Sequence, residues 1–255
     1  MNVNEITFVI LTKNEENNIS NCLNSIKKFK NIFILDSYSE DRTRQICKKY
    51  PNVKVFMTNK NLGYVDKKNF ALKLVKRGFV MILDADYIVS KDLYNEIKKK
   101  KLRKNYGYKF NIYNKVNKRV IYEDLYPSKL LLFDANQNFF QKDGHKEKLI
   151  FKGKIEKLKS YVIHYDKKHY KTWILNQEKY AVIESEKIFS ANFYTLSTPD
   201  KIRKFIFIMN IVSLLYYLFY KKLFKYGLSG FIYILQRQIY EVKLAIKLFH
   251  ITFLK

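Results

Sequence analysis

From residue 6 to about residue 90, short apolar runs alternate with segments whose apolar positions recur every three or four residues. The runs Ile6-Thr7-Phe8-Val9-Ile10-Leu11, Ile32-Phe33-Ile34-Leu35, Val53-Lys54-Val55-Phe56 and Phe79-Val80-Met81-Ile82-Leu83 predict four strands. Between them, Glu16 to Lys28, Asp41 to Tyr50 and Val65 to Arg77 predict helices, the first with Ile19, Leu23 and Ile26 on one face. Continuous apolar runs suit strands buried on both faces. Strand–helix alternation predicts an α/β fold with a largely parallel sheet covered by helices. In such sheets ligands bind beyond the carboxyl ends of the strands, so the residues there are the ones to read for chemistry.

The pattern then changes. Lys91 to Lys104 predicts a helix ending in a basic stretch, followed by strand-like pieces at 108–113, 130–133, 149–151 and 161–164. From about residue 168 the chain reads as helical. A first helix spans about 170–193, Ser197-Thr198-Pro199-Asp200 breaks it, and two basic, aromatic helices follow at roughly 200–222 and 229–250, hinged at Gly227 and Gly230. Pro199 suits a first helical turn.

The net charge of +26, from 49 Lys+Arg against 23 Asp+Glu, calls for an anionic partner: nucleic acid, a membrane surface or a phosphorylated substrate. AT-rich coding would inflate Lys, Asn, Ile, Phe and Tyr together, but it does not remove the resulting field. No nucleic-acid-binding signature accompanies the scattered basic residues, so the expectation is no nucleic acid. Cys22 and Cys47 give neither a disulfide framework nor a zinc pattern and are expected in the core, in a reducing compartment. The N-terminus lacks the basic and apolar regions of a signal peptide. Phe205 to Tyr220 is the strongest candidate for membrane insertion, but it is interrupted by Asn210 and Ser213 and at 16 residues falls short of the roughly 20 a spanning helix needs. Glu241 is the only acid in residues 201–255, and basic, aromatic helices of this kind have the composition of an interfacial membrane anchor. Packing against the rest of the chain, or a dimer face, is the alternative.

The strand ends carry the candidate chemistry. The first exits into Thr12-Lys13-Asn14-Glu15, the second into Asp36-Ser37-Tyr38-Ser39-Glu40-Asp41, and the fourth into Asp84-Ala85-Asp86. The third is followed by Asn61-Leu62-Gly63-Tyr64, then by Lys67-Lys68-Asn69-Phe70-Ala71 in the next helix. If extended geometry continued past Asp84, the two acids of Asp84-Ala85-Asp86 would point the same way. Paired acids at the end of a buried strand can hold a hard divalent cation against a phosphate.

In this order and spacing, the four motifs resemble the nucleotide-sugar-binding half of a family 2 glycosyltransferase with the GT-A fold. Past residue 90 the chain is similar to bacterial lipopolysaccharide and lipooligosaccharide core glucosyltransferases. The marks are Tyr126-Pro127, Asp143 to Leu149, Val162-Ile163-His164-Tyr165 and the terminal basic-aromatic helices. The resemblance implies a mixed Rossmann-like sheet flanked by helices, with residues 1–90 binding the donor, 91–168 the acceptor, and 169–255 forming a helical membrane-associating region. Asp36 would accept a hydrogen bond from uracil. Thr12, Asn14, Glu15 and Ser37 would line the nucleotide-sugar pocket, and Lys68 would lie near the base or diphosphate. Asp86 would ligate Mn²⁺ or Mg²⁺, Asp84 would hold the ribose or bind the metal through water, and His164 would be a further metal or diphosphate ligand.

Inverting transfer also needs a carboxylate to take the acceptor's proton. Glu147 and Asp143 are both candidates, because Lys146 separates His145 from Glu147 where related sequences have His-Glu adjacent. His145 and Tyr126 would contact the acceptor. The processive-synthase pattern Gln-x-x-Arg-Trp is absent, which implies one sugar per encounter. The expected activity is metal-dependent transfer of a hexose, with glucose from UDP-glucose favoured, onto a lipopolysaccharide or lipooligosaccharide core. The expected setting is cytoplasmic, at the inner face of the cytoplasmic membrane and on its anionic surface. A lipid-linked oligosaccharide, capsule precursor or polyprenyl phosphate acceptor is the alternative. Outside enzymes, the alternatives are a basic nucleic-acid-binding protein or a membrane scaffold.

Overall fold

The computed structural model describes residues 5–59, 62–75, 78–136, 138–143 and 146–254. The chain forms two compact units. The first comprises Met1–Lys115, Asp124–Lys142 and Glu147–Lys168; the second comprises Val116–Glu123, Asp143–Lys146 and His169–Lys255.

The first unit opens with β1 (Ile6–Thr12), α1 (Ile19–Ile26), β2 (Asn31–Asp36), α2 (Thr43–Cys47), β3 (Val53–Met57), α3 (Tyr64–Val75) and β4 (Phe79–Asp84). After it come β5 (Tyr87–Val89), α4 (Leu93–Lys100), β6 (Tyr106–Val116), β8 (Lys129–Asp134), the β9 (Phe139–Asp143) and β10 (Lys146–Ile150) pair, and β11 (Lys154–His164), while the short β7 (Arg119–Ile121) falls within the second unit. Eight strands run in the order β3-β2-β1-β4-β8-β6-β11-β5. The four strands anticipated from the apolar runs are mutually parallel. Beyond them the sheet is mixed, as the resemblance implied: β8 runs antiparallel to both β4 and β6, and β5 antiparallel to β11. β5, three residues long, is too short to show an alternation in sequence.

Register positions the strand ends. Thr12 lies opposite Asp36, and Leu11 opposite Asp84. Alternate residues of β1 feed the two faces. Phe8 and Ile10 join Leu23, Phe79 and Tyr108 in one buried cluster, while Val9 and Leu11 join Ala71, Val80 and Phe133 in the other. Both cysteines are free and buried, as expected of core residues. Gly107 on β6 allows a close approach, since a Cβ there would lie 2.7 Å from Leu130 Cδ1.

The second unit is built on α5 (Tyr170–Ser190) and α8 (Leu228–Phe253), which pack through Ala181, Ile188, Tyr240, Leu244 and Leu248. Between them lie α6 (Thr198–Arg203), α7 (Ile208–Leu215), a π-helical turn over Tyr216–Tyr220 and a tight turn over Leu223–Tyr226. The helix predicted over 200–222 is thus broken. The backbone turns left-handed at Ile206 (φ 55°) and again at Lys222 (φ 49°), conformations that side chains with a branched or long Cβ substituent rarely adopt. Gly227, at φ 59°, caps α8, and Gly230 packs against the Leu223 carbonyl where a Cβ would collide. Glu241 is buried and bonds to Arg203 at 2.7 Å and to Arg237 at 3.2 Å, and Arg203 also pairs with Asp200 at 2.6 Å.

Candidate active site

The loops after β1 and β2 are laced together. Asp36 is 0% exposed, and its carboxylate accepts from Thr12 Oγ1 (2.9 Å), Ser39 N (2.8 Å) and Ser39 Oγ (2.6 Å). Asn14, at φ 55°, donates its amide to Ser39 Oγ and accepts from Glu40 N. Glu15 N donates to Thr43 Oγ1, and Glu16 N to Asp41. Ser37 and Thr58 hydroxyls lie 3.2 Å apart beneath this lattice. Of the residues that the resemblance assigns to the nucleotide-sugar pocket, Thr12, Asn14, Glu15, Asp36 and Ser37 lie in one hydrogen-bonded frame with Asp36 as a buried hub, while Lys68 and Asp84 bond elsewhere.

The Glu15 side chain points elsewhere in the unit. It meets Lys168 Nζ at 2.6 Å and accepts from Asn18 Nδ2 at 2.9 Å. Burial is the larger influence on Glu15 and raises its pKa despite the lysine. Asn18 also donates to Asp166 and accepts from the amide of Lys167, so the segment after β11 is tied to the start of α1.

The strand β4 ends at Asp84, and Ala85-Asp86 is a turn, so the extended geometry does not continue and each acid has its own hydrogen-bond partner. Asp84 accepts from the Tyr64 hydroxyl at 2.6 Å. Desolvation raises its pKa, but Lys68, Lys129 and the Tyr64 hydroxyl together outweigh this and hold it below the ordinary value. Asp86 faces His164: Oδ2 lies 3.1 Å from Nε2, and Nδ1 lies 3.2 Å from Asn114 Oδ1. Desolvation works against charge on the imidazole, but the Asp86 carboxylate and its hydrogen bond prevail and push the pKa up to about 9. The other oxygen, Asp86 Oδ1, is buried without a hydrogen-bond partner. A buried carboxylate oxygen with no donor is costly unless something cationic or protic fills the gap.

Asp86 and His164 together offer an oxygen and a nitrogen donor, a set that fits a divalent ion whose remaining ligands come from elsewhere. Among the described residues no group of three or more His, Cys, Asp or Glu side chains could hold a metal alone. Tyr126 is half-buried and close enough to influence the His164 charge.

The helix α3 supplies Tyr64 and, one turn on, Lys68, which is buried with its Nζ over the Tyr64 ring (4.6 Å) and the Phe140 ring (5.3 Å). Lys68 pairs with Glu147 Oε1 at 2.6 Å. Asp143 is in different company: half-exposed, it pairs with Lys187 of α5 at 2.8 Å. His145 lies outside the described residues. The sequence reading gave no role of its own to Tyr64, Asn114 or Lys168. Tyr64 had a signal, its four-residue spacing from Lys68 on one helix. Asn114 and Lys168 had none, because only the fold brings them to His164 and Glu15.

Comparison with known proteins follows the same lines. The profile described as Glycosyl transferase family 2 matches residues 7–158. An uncharacterized glycosyltransferase of Rickettsia conorii, RC0292, is 37% identical over 94 residues, covering 36% of this chain and 33% of the relative. Glycosyltransferase SunS of Bacillus subtilis is 33% identical over 96 residues, covering 37% of this chain and 23% of its own. The match thus spans a third or less of the length of these curated relatives. Among solved structures, the mannosyltransferase PcManGT from Pyrobaculum calidifontis, in complex with GDP-Man and Mn²⁺, superposes with a TM-score of 0.55 at 14% identity. That superposition covers 97% of this chain and 88% of the other, and it supports the shared fold.

Proposed function

The chain belongs to glycosyl transferase family 2, and from that premise we propose that it transfers a hexose from a UDP-sugar, glucose being favoured, with inversion and with a divalent cation. The acceptor on this reading is a lipopolysaccharide or lipooligosaccharide core glycolipid, met by the enzyme at the cytoplasmic face of an anionic membrane. The observation that carries the metal-dependent transfer is Asp86, whose buried Oδ1 lacks a partner beside His164.

Asp86 and His164 would hold Mn²⁺ or Mg²⁺, with diphosphate oxygens and water completing its ligands. When bound, the ion neutralises charge on the departing nucleoside diphosphate. Lys68, buried and cationic, would add to that neutralisation from α3. The frame around Asp36 and Thr12 would shape the uracil end, with Asn14 and Ser37 lining it. Asp84, braced by Tyr64, would meet the ribose. Glu147 is the proposed base. It would take the acceptor hydroxyl's proton as that oxygen bonds to the anomeric carbon and the bond to the diphosphate breaks, releasing UDP. Glu147 is preferred to Asp143 because it shares Lys68 with the donor side of the site, whereas Asp143 is held by Lys187. Tyr126 and His145 would contact the acceptor.

A panel of UDP-sugars assayed for UDP release with Mn²⁺ or Mg²⁺ tests this. The expected result is cation-dependent release that Asp86→Asn lowers by about 100-fold or more. A normal rate in Asp86→Asn would overturn the metal assignment.

A further inference from the structure

The helix α7 and the π-helical turn after it are inside out. The positions that face the rest of the unit are polar or amphipathic. Ser213 is buried and hydrogen-bonds with the Gln238 side chain at 2.9 Å. The Asn210 side chain has buried nitrogen and oxygen atoms without partners. Tyr217 packs edge-on against Tyr233 at 5.6 Å between ring centroids. The positions that face away are large and apolar: Phe207, Ile208, Ile211, Leu215 and Phe219 are exposed, Ile211 by 63% and Phe219 by 68%. A helix in water arranges its residues the other way round. The segment is also framed by the left-handed turns at Ile206 and Lys222, which begin and end it abruptly.

Charge selects what covers this face. The one acid of residues 201–255, Glu241, is buried and bonded to Arg203 and Arg237, so that stretch presents no carboxylate to its surroundings. Lys222 is exposed at the end of the face, and Lys221 Nζ lies over the rings of Tyr216 (5.7 Å) and Tyr220 (5.5 Å). Tyrosines with lysines at the edge of an apolar face match the headgroup layer of a bilayer, where the rings sit half in hydrocarbon and the ammonium groups reach the phosphates. A second copy laid against the same face would bring these unbalanced lysines together, whereas an anionic leaflet neutralises them. No helix among the described residues is long and apolar enough to cross a membrane. At 1.5 Å per residue, Ile208–Tyr220 would extend about 20 Å, against about 30 Å of hydrocarbon.

We propose that α7 and the turn Tyr216–Tyr220 insert in the plane of one anionic leaflet, apolar side down, and form the element that holds the enzyme there. This deepens the membrane-face reading given above and rests on it.

The test is co-sedimentation of the full chain with vesicles of phosphatidylglycerol and phosphatidylcholine, or of phosphatidylcholine alone. The parent should bind the anionic vesicles, more weakly as salt rises. The double substitution Ile211→Ser with Phe219→Ser should weaken that binding at least about tenfold, with unchanged circular dichroism and UDP release in solution. Leu235→Ser on α8, one of several exposed apolar positions outside the segment, serves as the comparison and should bind within about twofold of the parent. If the parent binds no vesicles, the membrane reading itself fails. If the parent binds and the double variant binds equally well, only the assignment to α7 fails. A parent that is dimeric in solution and made monomeric by the double substitution would also overturn it, in favour of a second copy.

Discussion

In the first unit the apolar residues of β1 and β4 lie inside and the reactive polar groups gather where those strands end. In α7 of the second unit the order is reversed, with Ser213 and Asn210 inward and Ile211 and Leu215 outward. Both stretches read from sequence as apolar runs. The difference is what surrounds them. A strand in a sheet has helices on both faces to receive its side chains. A helix of eight residues lying against a two-helix scaffold has one neighbour and a large remainder. Apolar sequence specifies burial in something, and only the fold reveals whether the chain itself supplies it.

The sharpest way to break this comparison is stability. Phe8→Ala, in the β1 core, should cost about 3–5 kcal/mol in denaturant unfolding. Phe207→Ala, an equal truncation on the outward side of α7, should stay within about 0.5 kcal/mol in the absence of lipid. Comparable losses at both positions would mean that the outward side is covered by protein. Next in size is the contrast between the two carboxylates that fall in different units. Glu147→Gln should lower UDP release by about 10²-fold or more, since general base catalysis contributes on that order. Asp143→Asn removes a half-exposed pair with Lys187 and should change the rate by less than about threefold. The reverse ranking would move the base to Asp143.

The smallest effect concerns His164. Its pKa is raised from 6.5 to about 9, so in metal-free protein the imidazole should titrate near 9 by NMR, and Asp86→Asn should bring it down. The sign follows from the raised value. The Asp86–His164 ion pair stabilises the fold fully below about 6.5, and that contribution is lost as the pH rises through about 9. An imidazole titrating at 6.5 or below in the parent would break the pairing.

The apolar runs of β1 to β4 and the acids at their ends were legible because a doubly buried strand leaves a continuous signature and the chain must turn where it ends. The frame around Asp36 was visible only as a motif. Its Thr and Ser residues are spent on the loops themselves, which sequence could not separate from ligand contacts. The turn after Asp84 was hidden, because Ala85 gives no sign that the strand stops there. Lys168 and Asn114 were out of reach: Asn114 meets His164 across the β6–β11 pairing, and Lys168, in the segment after β11, meets Glu15 in the loop after β1. The break at Ile206 was equally invisible, since an isoleucine is among the last residues expected to adopt a positive φ.

The bonds from Asn18 to Asp166 and Lys167 have a consequence for how the protein is made. They join residues 148 and 149 positions apart. The strand β5, which follows Asp86 directly, pairs with β11 and is laid down more than 60 residues before it. During synthesis from the N-terminus, β1 to β4 can assemble as they emerge, because their partners are near in sequence. The turn at Asp86 cannot be fixed in the same way until residues 162–164 arrive. A chain halted before that point would carry the β1–β4 strands and the frame around Asp36 without the Asp86–His164 pair, so the proposed cation site would be complete only once β11 closes the unit.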